Sequence, residues 1–392
     1  MGDARMGPYF FGGMLSSAGV WIHNIVSAIV VFEATGSARL VGLVSVLQFA
    51  PTLLFGVALG GLADRVDRRW LMIGGQTLAG GAAATLAVVM WSSPPRAGPV
   101  LLAAAVIGVG NAVNGATVQA LLPSLVPRVD LDGALVLSTL TFNLARAFGP
   151  AIGAFALVIG GAGPAFAFNA GSYLLLAAIL ILIRPLGPTR ASKDDDRSLA
   201  GGLRFVRRDP VVRNLLLCAA VAGLAVDPVV TLSPSLADAV GGGDTLPGLL
   251  TSAFGVGSLL TVGFITRAKR RYGLKRVAAT AFLALGGGMV CVGLATTEVW
   301  LIASMALAGT GFLANSTSLT GMLQRLVPNH LLGRVMALWS VAFMGSRPAG
   351  ALINGTVADL VGPRPAAALV GVVTLLVPIA LLRRVPAFTD EP

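Results

Sequence analysis

Charged side chains are scarce in this 392-residue chain: Asp, Glu, Lys and Arg together make up 11% of it, against 55% hydrophobic residues. Soluble domains carry about a quarter charged residues. The deficit excludes an ordinary water-soluble globule and leaves an integral membrane protein. Cysteine is almost lacking, and Cys218 and Cys291 both fall inside apolar runs, where a free thiol acts as a small packing group. Neither a disulfide nor a metal site is expected. No cluster with metal-ligand spacing, no G-x-x-x-x-G-K-[ST] phosphate loop and no nucleophile triad is visible. The chain is therefore not read as an enzyme, and no cofactor is expected. Without an ATP-hydrolysing module, any active transport must draw on an ion gradient, with protons as the default.

What the chain has in abundance is long apolar runs. At about 20 residues per membrane helix, its length holds on the order of twelve spans. They are placed at 9–31, 41–63, 70–91, 99–122, 134–160, 164–183, 212–235, 246–266, 275–296, 299–321, 335–358 and 365–382. The runs are unbroken rather than alternating, which favours helices over a barrel. The first begins near Tyr9 and is followed by many more, so it reads as an anchoring span and not as a cleaved signal. The net charge of +11 does not point to nucleic acid. With both termini inside, 23 Lys and Arg residues fall on the cytoplasmic side and three (Arg39, Arg96 and Arg364) on the other. Such an asymmetry is the positive-inside signature of topology.

The two halves repeat. A constant offset of 201 residues pairs Gly56 with Gly257, Gly108 with Gly309, Gly110 with Gly311, Asn114 with Asn315, Arg146 with Arg347 and Gly149 with Gly350. One gap-free register over so long a stretch implies two homologous bundles related by an axis along the membrane normal, with a substrate site near midplane where they meet. The expected fold is therefore all-α, with twelve transmembrane helices in two pseudo-symmetric six-helix bundles, 1–184 and 212–392, joined by a cytosolic linker, 185–211. Within that linker Ser198 is a candidate N-cap. After it Leu199, Leu203 and Val206 recur at helical spacing beside Arg204, Arg207 and Arg208, a basic amphipathic helix suited to the membrane surface.

Charges at membrane depth mark candidate function. The segment Gly61-Leu62-Ala63-Asp64-Arg65-Val66-Asp67-Arg68-Arg69 packs five charges into six residues between two apolar runs, so it reads as a tight cytosolic loop. Asp64 can serve as a conformational latch, accepting hydrogen bonds from a neighbouring helix N-terminus; the plainer reading is that these charges only anchor topology. Arg146 and Arg347 fall about twelve residues into their spans, where an unpaired guanidinium costs at least ~2.5 kcal/mol. Asp227, followed by Pro228, is the one acid well inside an apolar run. It is either a proton-coupling carboxylate or structural neutralisation of an arginine. Should it pair with neither arginine, the pathway carries a positive surplus that favours anionic substrates. His23, Asn24, Gln48, Asn111, Asn114, Asn143, Asn169 and Asn315 are candidates to line the pathway. The alternative for each is an interhelical hydrogen bond.

The pattern G-x-x-D-R-x-x-R-R at Gly61–Arg69 resembles the signature loop of major facilitator superfamily transporters. Phe32-Glu33-Ala34-Thr35-Gly36-Ser37, Leu125-Val126-Pro127, Phe142-Asn143-Leu144-Ala145-Arg146 with Gly149-Pro150, and Gly202-Leu203-Arg204-Phe205-Val206-Arg207-Arg208 extend the likeness to the bacterial efflux branch that includes the enterobactin exporter. Asp67, where the superfamily usually has glycine, is then a feature of that branch. The resemblance implies alternating access and proton-coupled export of a small amphipathic molecule, drug-like or siderophore-like, by a multi-pass protein of the bacterial cytoplasmic (inner) membrane that works as a monomer. It also implies that the latch partner is the end of the eleventh helix. Arg146-Ala147-Phe148-Gly149-Pro150-Ala151-Ile152-Gly153 resembles the bend motif of the antiporter branch. A solute importer, or a transporter-like sensor or scaffold, are the competing readings; the intact loop and bend motif speak against the last.

Overall fold

The computed structural model describes residues 6–125, 130–183 and 199–386. Among them every regular element is a helix, from α1 (Met6–Thr35), α2 (Ala38–Arg65), α3 (Arg68–Ser92), α4 (Ala97–Leu125), α5 (Leu131–Gly160) and α6 (Ala162–Leu182) to α7 (Leu199–Arg208). Then come α8 (Pro210–Val226), α9 (Pro228–Thr231), α10 (Ser233–Asp238), α11 (Leu246–Tyr272), α12 (Leu274–Leu294), α13 (Glu298–Leu326), α14 (Asn329–Val361) and α15 (Pro363–Arg383). Eleven of the described helices are long and apolar enough to cross a membrane. The 33-residue α14 is long enough but more polar, because Arg347, Ser346 and Pro348 interrupt its apolar run. Large apolar side chains such as Leu54, Leu102, Leu182 and Leu360 are 70–80% exposed, a lipid-facing exterior.

Contacts group the chain into two units, residues 1–36 with 43–195 and residues 37–42 with 196–392. Helix α2 thus begins in one unit and continues in the other. Three of the glycine pairs in the sequence repeat do the same work in each unit; Gly56 and Gly257 do not, since a Cβ on Gly56 meets nothing within 4 Å and one on Gly257 meets the Ala306 backbone. A Cβ on Gly108 of α4 would meet the backbone of Leu47 and Gln48 in α2, and one on Gly309 of α13 would meet the Phe254 backbone in α11. Two residues on, Gly110 presses against Gly75 and Ala79 of α3, and Gly311 against Ala281 and Leu285 of α12. Gly149 of α5 lies against Trp21 of α1, as Gly350 of α14 lies against Leu224 of α8. Without a hydrophobic driving force between helices in lipid, such close backbone approach is what holds a bundle together.

Two expectations need correction. The seventh span, expected as one helix over 212–235, is broken: α8 ends at Val226, and the short α9 and α10 follow. Pro228 and Pro234 each lack a backbone donor, so the helical ladder cannot be continued through them. The basic helix α7 forms, but it is docked rather than lying alone on the membrane: Val206 is buried, Phe205 packs on the second unit's core, and Gly201 and Gly202 abut Arg334 of α14. Ser198 and the rest of the linker through 184–198 lie outside the described residues. Helix α8 instead starts on Asp209, whose carboxylate accepts from the Val211 and Val212 amides, with Pro210 at the first helical position.

Replacing Gly309 with leucine should overpack α13 against α11 and cost about 1–3 kcal/mol, lowering the unfolding temperature of the purified protein. Leucine at Gly287, where a Cβ meets nothing within 4 Å, should leave it unchanged; equal effects at the two positions would contradict the close approach.

Candidate functional site

The signature loop resolves into two capping jobs. Asp67 is the N-cap of α3, accepting from the Arg69 amide at 2.9 Å. Glycine in its place would leave that orphan donor without a side-chain acceptor. Arg69 reaches the other way: its Nε and Nη2 donate to the carbonyls of Leu180 and Ile181, at 2.6 and 2.7 Å. Those carbonyls end α6, where a cation also meets the negative pole of the helix dipole. Arg65 is exposed, Arg68 half-buried, and Gly61 faces open space. The Asp64 side chain lies outside the described residues.

In the first unit the embedded polar residues are spread over several helix interfaces. His23 of α1 is buried, its Nε2 lies 3.3 Å from Ser27 Oγ, and its ring meets Phe166 of α6 edge-on at 5.1 Å. Asn169 and Ser172 of α6 line the same seam, packed against Gly19; neither amide atom of Asn169 has a protein hydrogen-bond partner. Asn111 of α4 accepts from the Tyr173 hydroxyl of α6 at 3.1 Å, and Asn114 is buried beside Gly75 of α3. Gln48 is buried in α2, and Asn24 is half-buried. Asn143 is half-buried and satisfied within its own helix by the Thr139 carbonyl. Sequence reasoning missed Ser27, Gln76 and Tyr173, whose hydroxyl or amide groups give no period or motif of their own.

Arg146 is buried in α5 with its guanidinium 5.5 Å from the centroid of the Trp21 ring, and Trp21 in turn meets Phe142 edge-on. A cation over an indole face is favourable once water is excluded. Gly149 and Gly153 let α1 approach α5, and α5 runs unbroken through Pro150. The helix that does break is the one carrying Asp227.

Asp227 sits at that break, 1% exposed, and Thr231 donates to its Oδ2 at 2.6 Å. The charge of Arg347 on α14 acts on the same carboxylate. Asp227 and Arg347 thus belong to the same unit and lie within electrostatic reach of one another. Asn315, its repeat partner Asn114 and the glycines around them are bundle-interior positions; Asn315 is fully buried. Among the described residues no group of three or more His, Cys, Asp or Glu could hold a metal ion.

A second acid escaped the sequence reading. Asp359, near the end of α14, grips the first turn of α2: Oδ1 accepts from the Ala38 amide at 2.7 Å, and Oδ2 from the Ser37 hydroxyl and the Arg39 amide, at 2.6 and 3.2 Å. The carboxylate caps a helix more than 300 residues away in sequence, at the positive end of its dipole. Gly355 and Gly42 let the two backbones come this close. Asp359→Ala should cost about 1 kcal/mol and speed amide exchange across 37–42 severalfold, with α4 and α13 unaffected. Unchanged exchange there would show that the carboxylate does not hold the turn.

Comparison with known proteins agrees with this architecture. The chain is 27% identical over 382 residues, 95% of its length and 90% of theirs, to the enterobactin exporter EntS of Shigella boydii serotype 4 and of Escherichia coli O6:K15:H31. Its fold is similar to the nucleoside transporter NupG (TM-score 0.79, 13% identity, covering 97% of this chain and 99% of that one). It is also similar to a bacterial homologue of the iron transporter ferroportin (TM-score 0.75, 16% identity, 97% and 99%). The transmembrane secretion effector family model matches residues 9–391. The chain is a multi-pass membrane transporter that belongs to the transmembrane secretion effector family of the major facilitator superfamily.

Proposed function

We propose that this transporter exports a small amphipathic molecule, siderophore-like or drug-like, across the bacterial cytoplasmic membrane in exchange for protons, by alternating access. The observation that carries the reading is the Asp227–Thr231–Arg347 cluster at the break between α8 and α9. Unwound backbone beside a buried charge is where transporters of many folds bind their coupling ion. While Asp227 is ionised, its charge compensates Arg347. A proton arriving on the carboxylate removes that compensation and leaves a desolvated guanidinium, a situation worth about 3–5 kcal/mol in buried pairs. The conformation in which Arg347 reaches water is then favoured, so protonation and the change of access are linked. Likeness to a protein named as an enterobactin exporter supports the outward direction. In the same reading Asp64 latches the cytosolic side, with Asp67 and Arg69 fixing the loop that carries it, both termini lie in the cytoplasm, and the working unit is a monomer with its halves at 1–184 and 212–392.

The test is transport in proteoliposomes, screening dyes, antibiotics and catecholates under an imposed pH gradient, with Asp227→Asn beside wild type. Gradient-driven movement that the variant loses while still binding the compound is the expected result. Movement that Asp227→Asn leaves unchanged would make the cluster structural. Movement in the importing direction would overturn the export reading.

A further inference from the structure

Among the described helices α2 alone is divided between the two units: residues 37–42 group with the second and residues from 43 onward with the first. Two grips account for the division. At its start the helix is held by α14, through the Asp359 carboxylate on Ser37, Ala38 and Arg39. The same crossing is closed by Gly42 and Gly355, where a Cβ would meet the Ala351 and Ala38 carbonyl oxygens. About one and a half turns further on the helix is held by α4, where Gly108 lies against the Leu47 and Gln48 carbonyls.

A helix held this way ties one unit to the other, so movement between them requires that one grip open or that the helix bend. Between the grips Leu43-Val44-Ser45-Val46 holds neither glycine nor proline, the usual causes of a kink, and Pro51 lies beyond both. One grip therefore has to open, and the two are unlike. At Gly108 backbone packs on backbone beside the buried Gln48. The α14 grip ends in Asp359 and Arg39, both exposed, where water can replace each hydrogen bond as it breaks. That grip is the one that parts at low cost.

Asp359 is also an addition to the duplicated scaffold rather than a consequence of it. At the offset of 201 its counterpart is Val158, an apolar residue of α5 that is about half exposed. By charge asymmetry the start of α2 and the end of α14 lie on the outer side of the membrane, with Arg39 and Arg364, opposite the cytosolic loop that carries Asp64.

We infer that Asp359 is a clamp for the outer side of the transporter, holding the start of α2 on α14 while that side is closed and releasing it when that side opens. It is a positioning residue with no part in binding the cargo, and the inference rests on the alternating-access reading above.

The test is a distance measured by pulsed electron paramagnetic resonance on the full-length protein in lipid nanodiscs. Spin labels go on Ala34→Cys and Leu360→Cys, both exposed, with Cys218 and Cys291 replaced by alanine. The short distance of the closed clamp should dominate, and Asp359→Ala should raise the ratio of longer to short distances roughly fivefold, the worth of one lost cap. Asp359→Asn keeps an acceptor for the Ala38 amide and should raise it less. Asp209→Ala, which removes the cap of α8, should leave the distances alone. Gly42→Leu, wedged against the Ala351 carbonyl, should force the longer distance whatever stands at 359.

A cap with only a structural role would speed amide exchange at 37–42 in Asp359→Ala and leave the distances as they were, which overturns the clamp. So would an equal shift in Asp209→Ala. If Gly42→Leu gives the longer distance and Asp359→Ala does not, the clamp is wrong and alternating access stands. If no variant gives a longer distance, the outer side does not part at this crossing, and the clamp falls together with the reading it rests on.

Discussion

Two opposite charges, Asp227 and Arg347, act on one another beside the broken helix of the second unit. Each charge alone would be costly so far from water; together, with Thr231 donating to the carboxylate, they can be kept where the helix is broken. The break itself leaves backbone groups without their usual partners, and some are met locally: the Thr231 amide bonds the Asp227 carbonyl and the Thr251 hydroxyl bonds the Val229 carbonyl. Irregular backbone survives at this depth only when protein encloses it.

The same accounting explains features with no role in chemistry. Arg69 closes the end of α6, Asp67 the start of α3, Asp209 the start of α8 and Asp359 the start of α2. All four charges are, in the folded chain, capping groups for helix ends. The charge density of Gly61–Arg69 is therefore two things at once. It keeps the loop out of the bilayer, and it ties α3 to α6 within the first unit.

Helix-to-helix contact rests on another constraint. Leucine is as comfortable in lipid as against another helix, so specificity comes from where small residues let backbones meet. This is why the repeat at an offset of 201 is carried by glycine more than by bulky residues. Gly108 and Gly309, and Gly110 and Gly311, occupy equivalent crossings in their units. Outward-facing positions carry no such constraint, because lipid accepts any apolar side chain there.

Composition and hydrophobic run length by themselves determined that the chain is an all-helical membrane protein and roughly where its spans lie, because membrane burial acts on local sequence with a length scale set by the bilayer; the likeness of its halves was read from the register at an offset of 201. That Arg146, Asp227 and Arg347 fall within long apolar runs was legible for the same reason. Their partners were not. That Asp227 and Arg347 come within electrostatic reach while Arg146 lies over Trp21, that Asp359 caps a helix at the other end of the chain, and that α7 docks on α14, were decided by tertiary structure alone. Pairing depends on which helices become neighbours and how they are rotated, and that is settled by close packing among residues far apart in sequence.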